Sequence, residues 1–69
     1  MTISARSKLK GRIVEVRKGQ TTAHVRIDVN GTIVTAAITT GAVDERGLKA
    51  GQDAYAVMKA SDVLVAVDG

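Results

Sequence analysis

Two short stretches near the ends of this 69-residue chain carry its most suggestive chemistry. Ser4-Ala5-Arg6-Ser7 lies before the first extended segment, and Lys59-Ala60-Ser61 lies between the last two. Each joins a cation to one or more hydroxyls and to backbone N–H groups beside an alanine, whose small side chain permits close approach. Many donors, few acceptors and a compensating positive charge suit a tetrahedral dianion. On spacing alone, Ser4 capping a turn and Lys59 standing as a solvated strand end is the commoner arrangement.

Other chemistries lack their residues. The chain has no Cys and a single His, so neither a disulfide framework nor a thiolate or His-based metal site can be built. His24 sits on a polar strand face with Thr22, Arg26 and Asp28 and has no nucleophile–carboxylate set around it, which reads as a surface or interface side chain and not as a catalyst. No glycine-rich phosphate loop of the P-loop or dinucleotide type is present. An enzyme is therefore not expected. The apolar runs are too short to span a bilayer and the N-terminus lacks a signal-peptide core, so the expectation is a cytoplasmic protein with no membrane partner.

Charge is unevenly placed. The net +3 hides a basic first part, with seven Lys and Arg against Glu15 in residues 1–26, and an acidic remainder, with three against six. A basic surface suggests an anionic partner, and opposed halves can also meet in an assembly. Nucleic-acid-binding barrels stack bases on aromatic rings, and Tyr55 is the single aromatic here, so a nucleic-acid partner is not expected. It remains the rival function class: an OB-fold nucleic-acid-binding module.

The elements that must position these groups can be read from alternation and punctuation. Lys8 to Arg17 is strand-like, and its alternation slips between Ile13 and Val14 close to Gly11, which predicts a bulge or a close backbone approach. Lys18-Gly19-Gln20 is a turn. Thr22 to Val29 alternates cleanly, Asn30-Gly31 signals a type I′ hairpin, and Thr32 to Thr39 is its β-branched partner. Thr39 or Thr40 can cap a short helix through Ala42–Arg46, which Gly47 ends. Ala54 to Lys59 and Val63 to Val67 are two further strands, apolar on both faces.

Three strands, one short helix and two strands form the order of an all-β, five-stranded, OB-like antiparallel barrel, in one domain over residues 1–69. A lone domain this small buries little of its surface, and natural proteins of such size add disulfides, a metal or further copies of themselves. With cysteine absent and a metal unsupported, oligomerisation is expected, and a second apolar face on the last two strands asks for a covering subunit.

Residues Ile3-Ser4-Ala5-Arg6-Ser7-Lys8-Leu9-Lys10-Gly11 resemble the N-terminal signature of the Mop, or molbindin, family of small molybdate- and tungstate-binding proteins. The likeness continues in order through Thr35-Ala36-Ala37-Ile38-Thr39, Gly47-Leu48-Lys49-Ala50-Gly51 and Val57-Met58-Lys59-Ala60-Ser61-Asp62-Val63. It implies an OB-like barrel assembled as a homohexamer, a trimer of dimers, with anions held between subunits. Carried onto this chain, it implies a main oxyanion site at Ser4, Ala5, Arg6, Thr39, Lys59, Ala60 and Ser61. A possible second site lies at Lys18, Gly19 and Gln20. The ligand is molybdate or tungstate, bound as the oxyanion with no metal directly ligated and no cofactor, for storage or buffering. Two departures stand out: Ser7 replaces the usual Asn, and Ala42 stands where relatives can place a Ser.

Overall fold

The computed structural model describes residues 6–69, and of Arg6 its backbone. Four strands, one helix and one short 3-10 turn follow in order: β1 Arg6–Lys18, β2 Thr22–Val29, β3 Thr32–Thr39, α1 Thr40–Arg46, β4 Asp53–Lys59, and the turn Ala60–Asp62. The strands form one antiparallel sheet in the spatial order β3-β2-β1-β4.

β1 does two jobs along its length. Arg6 to Arg12 pair with Lys59 to Asp53 of β4, and Arg12 to Lys18 pair with Asp28 to Ala23 of β2. The register shifts between Ile13 and Glu15, which leaves Val14 as the extra residue of a β-bulge. The slip in the sequence alternation therefore marks a real irregularity, and it falls where β1 changes partners. A bulge sharpens local twist, so the sheet curls there. Gly11 lies just before it, packed so closely on β2 that a Cβ would stand 2.4 Å from the Asp28 carbonyl oxygen, 2.8 Å from Ile27 Cγ2 and 2.9 Å from Val29 Cγ2.

The inner face of the curl is the core. Ile13, Ala23, Val25, Ile27, Val43 and Ala56 are buried, with Val34, Ile38, Leu48 and Met58 packed against them. On β2 the alternation is clean: Ala23, Val25 and Ile27 point inward, while His24 and Arg26 are exposed. The β2–β3 turn has Asn30 and Gly31 both at positive φ, 51° and 89°, as the type I′ geometry demands. The Asp28 carboxylate accepts from the Gly31 N–H at 2.8 Å and holds the turn.

Thr39, not Thr40, caps α1, its hydroxyl accepting from the Ala42 N–H at 3.1 Å. Thr40 instead donates to the Gly19 carbonyl at 2.8 Å, which ties the helix to the β1–β2 turn. Gly47, at φ 63°, ends the helix in the left-handed conformation. The following loop is bound to β1 by two hydrogen bonds, Gly51 N–H to the Ile13 carbonyl at 2.8 Å and Ile13 N–H to the Gln52 carbonyl at 2.9 Å.

The fifth expected strand is not formed. Val63–Val67 follows the 3-10 turn with no ladder partner, and Leu64, Val65 and Val67 are 91%, 90% and 83% exposed. Its alternation and β-branched residues specify an extended backbone, and Val63 has it (φ −89°, ψ 124°), but they do not specify a neighbour. The all-β, OB-like architecture therefore stands as a four-stranded half-barrel, not a closed five-stranded one. The free edges of β3 and β4 flank an apolar cavity of about 180 Å³ on the inner face, lined by Ile13, Val25, Ile27, Ala36, Ile38, Leu48, Ala54 and Tyr55.

Substitutions at three positions test this packing. Gly11→Ala is expected to lower unfolding free energy by about 1–3 kcal/mol, since backbone and two branched side chains must give way. Gly41→Ala, in α1 with open space around it, should leave stability unchanged or raise it by up to about 1 kcal/mol. Thr39→Ala should cost about 1 kcal/mol through the lost cap, with most of it restored in Thr39→Ser. Urea denaturation of the variants measures all of these.

Candidate functional site: an anion cradle at one end of the sheet

The antiparallel pairing of β1 with β4 sets Arg6 directly opposite Lys59. These residues stand at opposite ends of the sequence, and the ladder brings their backbones side by side at one end of the sheet. Ala60 and Ser61 follow at once in the 3-10 turn, both exposed, so a small side chain and a hydroxyl border the same corner. Ser4 and Ala5 lie outside the described residues. Like charges facing one another across a ladder repel, and an anion between them removes that cost. Exposed Lys59 has no carboxylate partner among the described residues.

Thr39 is not at this corner. It pairs with Thr22, whose neighbour Ala23 pairs with Lys18, the far end of β1. The two ends of that 13-residue strand are separated by on the order of 40 Å of chain. Within one protomer, Thr39 and the Arg6–Lys59 pair therefore lie at opposite ends of the sheet. The Thr39 hydroxyl already accepts the helix-capping bond.

The Lys18-Gly19-Gln20 turn is at the Thr39 end. Lys18 Nζ sits 2.7 Å from Asp44 Oδ1, Gly19 N–H donates to the Thr22 carbonyl, and the Gly19 carbonyl accepts from Thr40. These contacts explain the tight turn and give Lys18 a counterion, so an anion there must compete with Asp44. Ala42 is half-buried in α1, and no hydroxyl comes from that position. Among the described residues, no group of three or more His, Cys, Asp or Glu could hold a bare metal ion, and no helix is long and apolar enough to cross a membrane.

One grouping escaped the sequence reading. Lys8, Lys10 and Arg12 alternate along the outer face of β1, opposite Val57, Tyr55 and Asp53 of β4. Lys8 Nζ lies over the Tyr55 ring, 5.1 Å from its centroid, and Arg12 is 3.6 Å from Asp53. The signal was present as cations at every second position from residue 6 to 12. It identifies an outer face only once β4 is known to be the neighbour.

Comparison with known proteins bears on this geometry. Residues 3–65 match the TOBE domain. A probable molybdenum-pterin-binding protein of Haemophilus influenzae is 41% identical over 69 residues, covering 99% of this chain and all of that one. The high-resolution structure of a molybdate-binding protein from Sporomusa ovata superposes with a TM-score of 0.90 at 36% identity, over 97% of this chain and all of that one. A molybdate-bound form of ModG, described as a cytoplasmic molybdate-binding protein, superposes with a TM-score of 0.84 at 40% identity, over 93% of this chain but 46% of its own. These relatives are named for what they bind and not for a reaction they catalyse. On sequence and fold together, the chain belongs to the TOBE-domain family, among the small molybdate-binding Mop proteins, or molbindins.

Proposed function

We propose that the chain binds molybdate or tungstate reversibly between the subunits of a homo-oligomer, a hexamer built as a trimer of dimers, and so stores or buffers the oxyanion in the cytoplasm. The register of Arg6 against Lys59 carries this reading: two cationic residues are ladder partners beside Ala60 and Ser61, and a dianion suits such a pair. Arg6 and Lys59 supply the charge. Ser4 and Ser61 supply hydroxyl donors, and the backbone of Ala5 and Ala60 supplies close N–H groups. No bond is made or broken, so the chemistry is recognition by charge and donor geometry, and molybdate and tungstate present the same tetrahedral outline.

Two features support placement between subunits. Thr39 reaches this anion only from another copy, because in its own chain it lies at the far end of the sheet. The Val63–Val67 segment also leaves its apolar side chains in water, while the cavity between the free edges of β3 and β4 is open. A second copy's segment has the composition to fill that cavity and the backbone to pair with those edges. The protruding segment fits the radius of gyration, 13.3 Å against about 11 Å for a compact chain of this length. If anion and assembly share these seams, each stabilises the other, since a ligand that binds only the assembled form favours it.

Titration calorimetry with molybdate tests the site. Arg6→Ala and Lys59→Ala should each weaken binding by roughly 10- to 100-fold, the worth of a charge-assisted hydrogen bond of about 1.5–3 kcal/mol, while Lys49→Ala should not. Equal affinity across all three variants would remove Arg6 and Lys59 from the site. Native mass spectrometry with and without molybdate reads assembly and anion count together. A hexamer gaining anion mass is expected, and a protein that stays ion-free under saturating molybdate defeats the reading. Val65→Asp should shift the mass to smaller species and weaken the anion with it, whereas intact hexamers would show that the tail does not hold the assembly.

A further inference from the structure

We infer that the outer face of β1 and β4, around Tyr55, Lys8 and Lys10, is a docking surface for single-stranded nucleic acid. The scarcity of aromatics argues against such a function only if the one ring is used elsewhere. Tyr55 borders the inner cavity at the β4 edge, yet it is 55% exposed, and its neighbours Ala54 and Ala56 are the ones packed into the core. Lys8 lies over the ring at 5.1 Å, and Lys10 stands directly opposite it in the β1–β4 register. Neither lysine has a carboxylate within ion-pair distance among the described residues. Residues 1–5 contain no acid that could serve.

Spacing completes the case. Residues two apart on a strand lie about 6.6 Å apart on one face. A single strand with unstacked bases sets successive phosphates at a comparable distance. Lys8 and Lys10 can then follow the backbone while a base stacks on Tyr55, the pairing of a cationic track with an aromatic platform that sequence-tolerant single-strand binders use. Inorganic polyphosphate shares the charge but gives the ring nothing to stack with, which is why nucleic acid is the occupant proposed. Lys8, Lys10 and Tyr55 lie along the same ladder as Arg6 and Lys59 but are not among the residues assigned to the oxyanion, so the proposal does not rest on that reading.

Fluorescence anisotropy of the full chain with a labelled oligothymidylate of about fifteen nucleotides provides the test. Two phosphate contacts, at Lys8 and Lys10, predict an affinity that falls roughly sevenfold for a fourfold rise in salt. Tyr55→Ala should weaken binding about tenfold at fixed salt, with Tyr55→Phe restoring it, because stacking needs the ring and not the hydroxyl. Lys8→Gln with Lys10→Gln should flatten the salt dependence. Circular dichroism and urea denaturation of the same variants check that they are folded. Absence of binding at low salt overturns the proposal. So does binding that Tyr55→Ala leaves unchanged and that polyphosphate of equal charge displaces equally well, which would reduce the face to a plain basic patch.

Discussion

β1 is hydrogen-bonded on both sides, and the molecule depends on how it divides its length between two neighbours. Its first half belongs to β4 and its second to β2, with Arg12 paired in register to Asp53 on one side and Asp28 on the other. The bulge beside this changeover bends the sheet, and the glycine before it lets β2 approach closely enough for the bend to be filled. A strand paired along its whole length on both sides would build a flatter sheet, with no inner face able to surround Ile13 and Val25. The same division carries the start of β1 to the end of β4, so a packing solution in the middle of the sheet determines which charges meet at its edge.

That dependence explains what was legible in the residues. Local features were readable because their causes are local. Asn30-Gly31 needs positive φ at both positions, Thr39 and Gly47 bracket a helix, and β2 alternates because one side of it is wet. The slip near Gly11 was also visible, since a bulge disturbs the period of its own strand. The candidate site was legible only as two separate fragments, at residues 4–7 and 59–61. Their union is a matter of strand pairing, which periodicity does not encode, and the family resemblance supplied it. Tyr55 shows the same limit: its exposure follows from alternation, but its lysine neighbours follow from register.

The expected fifth strand failed for a different reason. Val63–Val67 has every intrinsic property of a strand, and a single copy of the chain leaves it unpaired. Strand propensity describes how well a backbone suits a sheet, and it is silent on whose sheet that is. The half-barrel thus pairs β2 on both sides along its length, while β1 shares its two halves between neighbours and β3 and β4 each keep a free edge. That contrast separates the strands that one chain pairs from the edges it leaves open.

An unpaired, apolar, proline-free run with high β-propensity is also the composition from which fibrils nucleate. Val63-Leu64-Val65-Ala66-Val67 is such a run, and it is bracketed by Asp62 and Asp68. Charges at both ends of a sticky strand act as gatekeepers: identical segments stacked in register would pile carboxylate on carboxylate. Pairing with a different strand, such as an edge of the half-barrel, avoids that repulsion. The two aspartates thus bias the segment away from endless self-stacking.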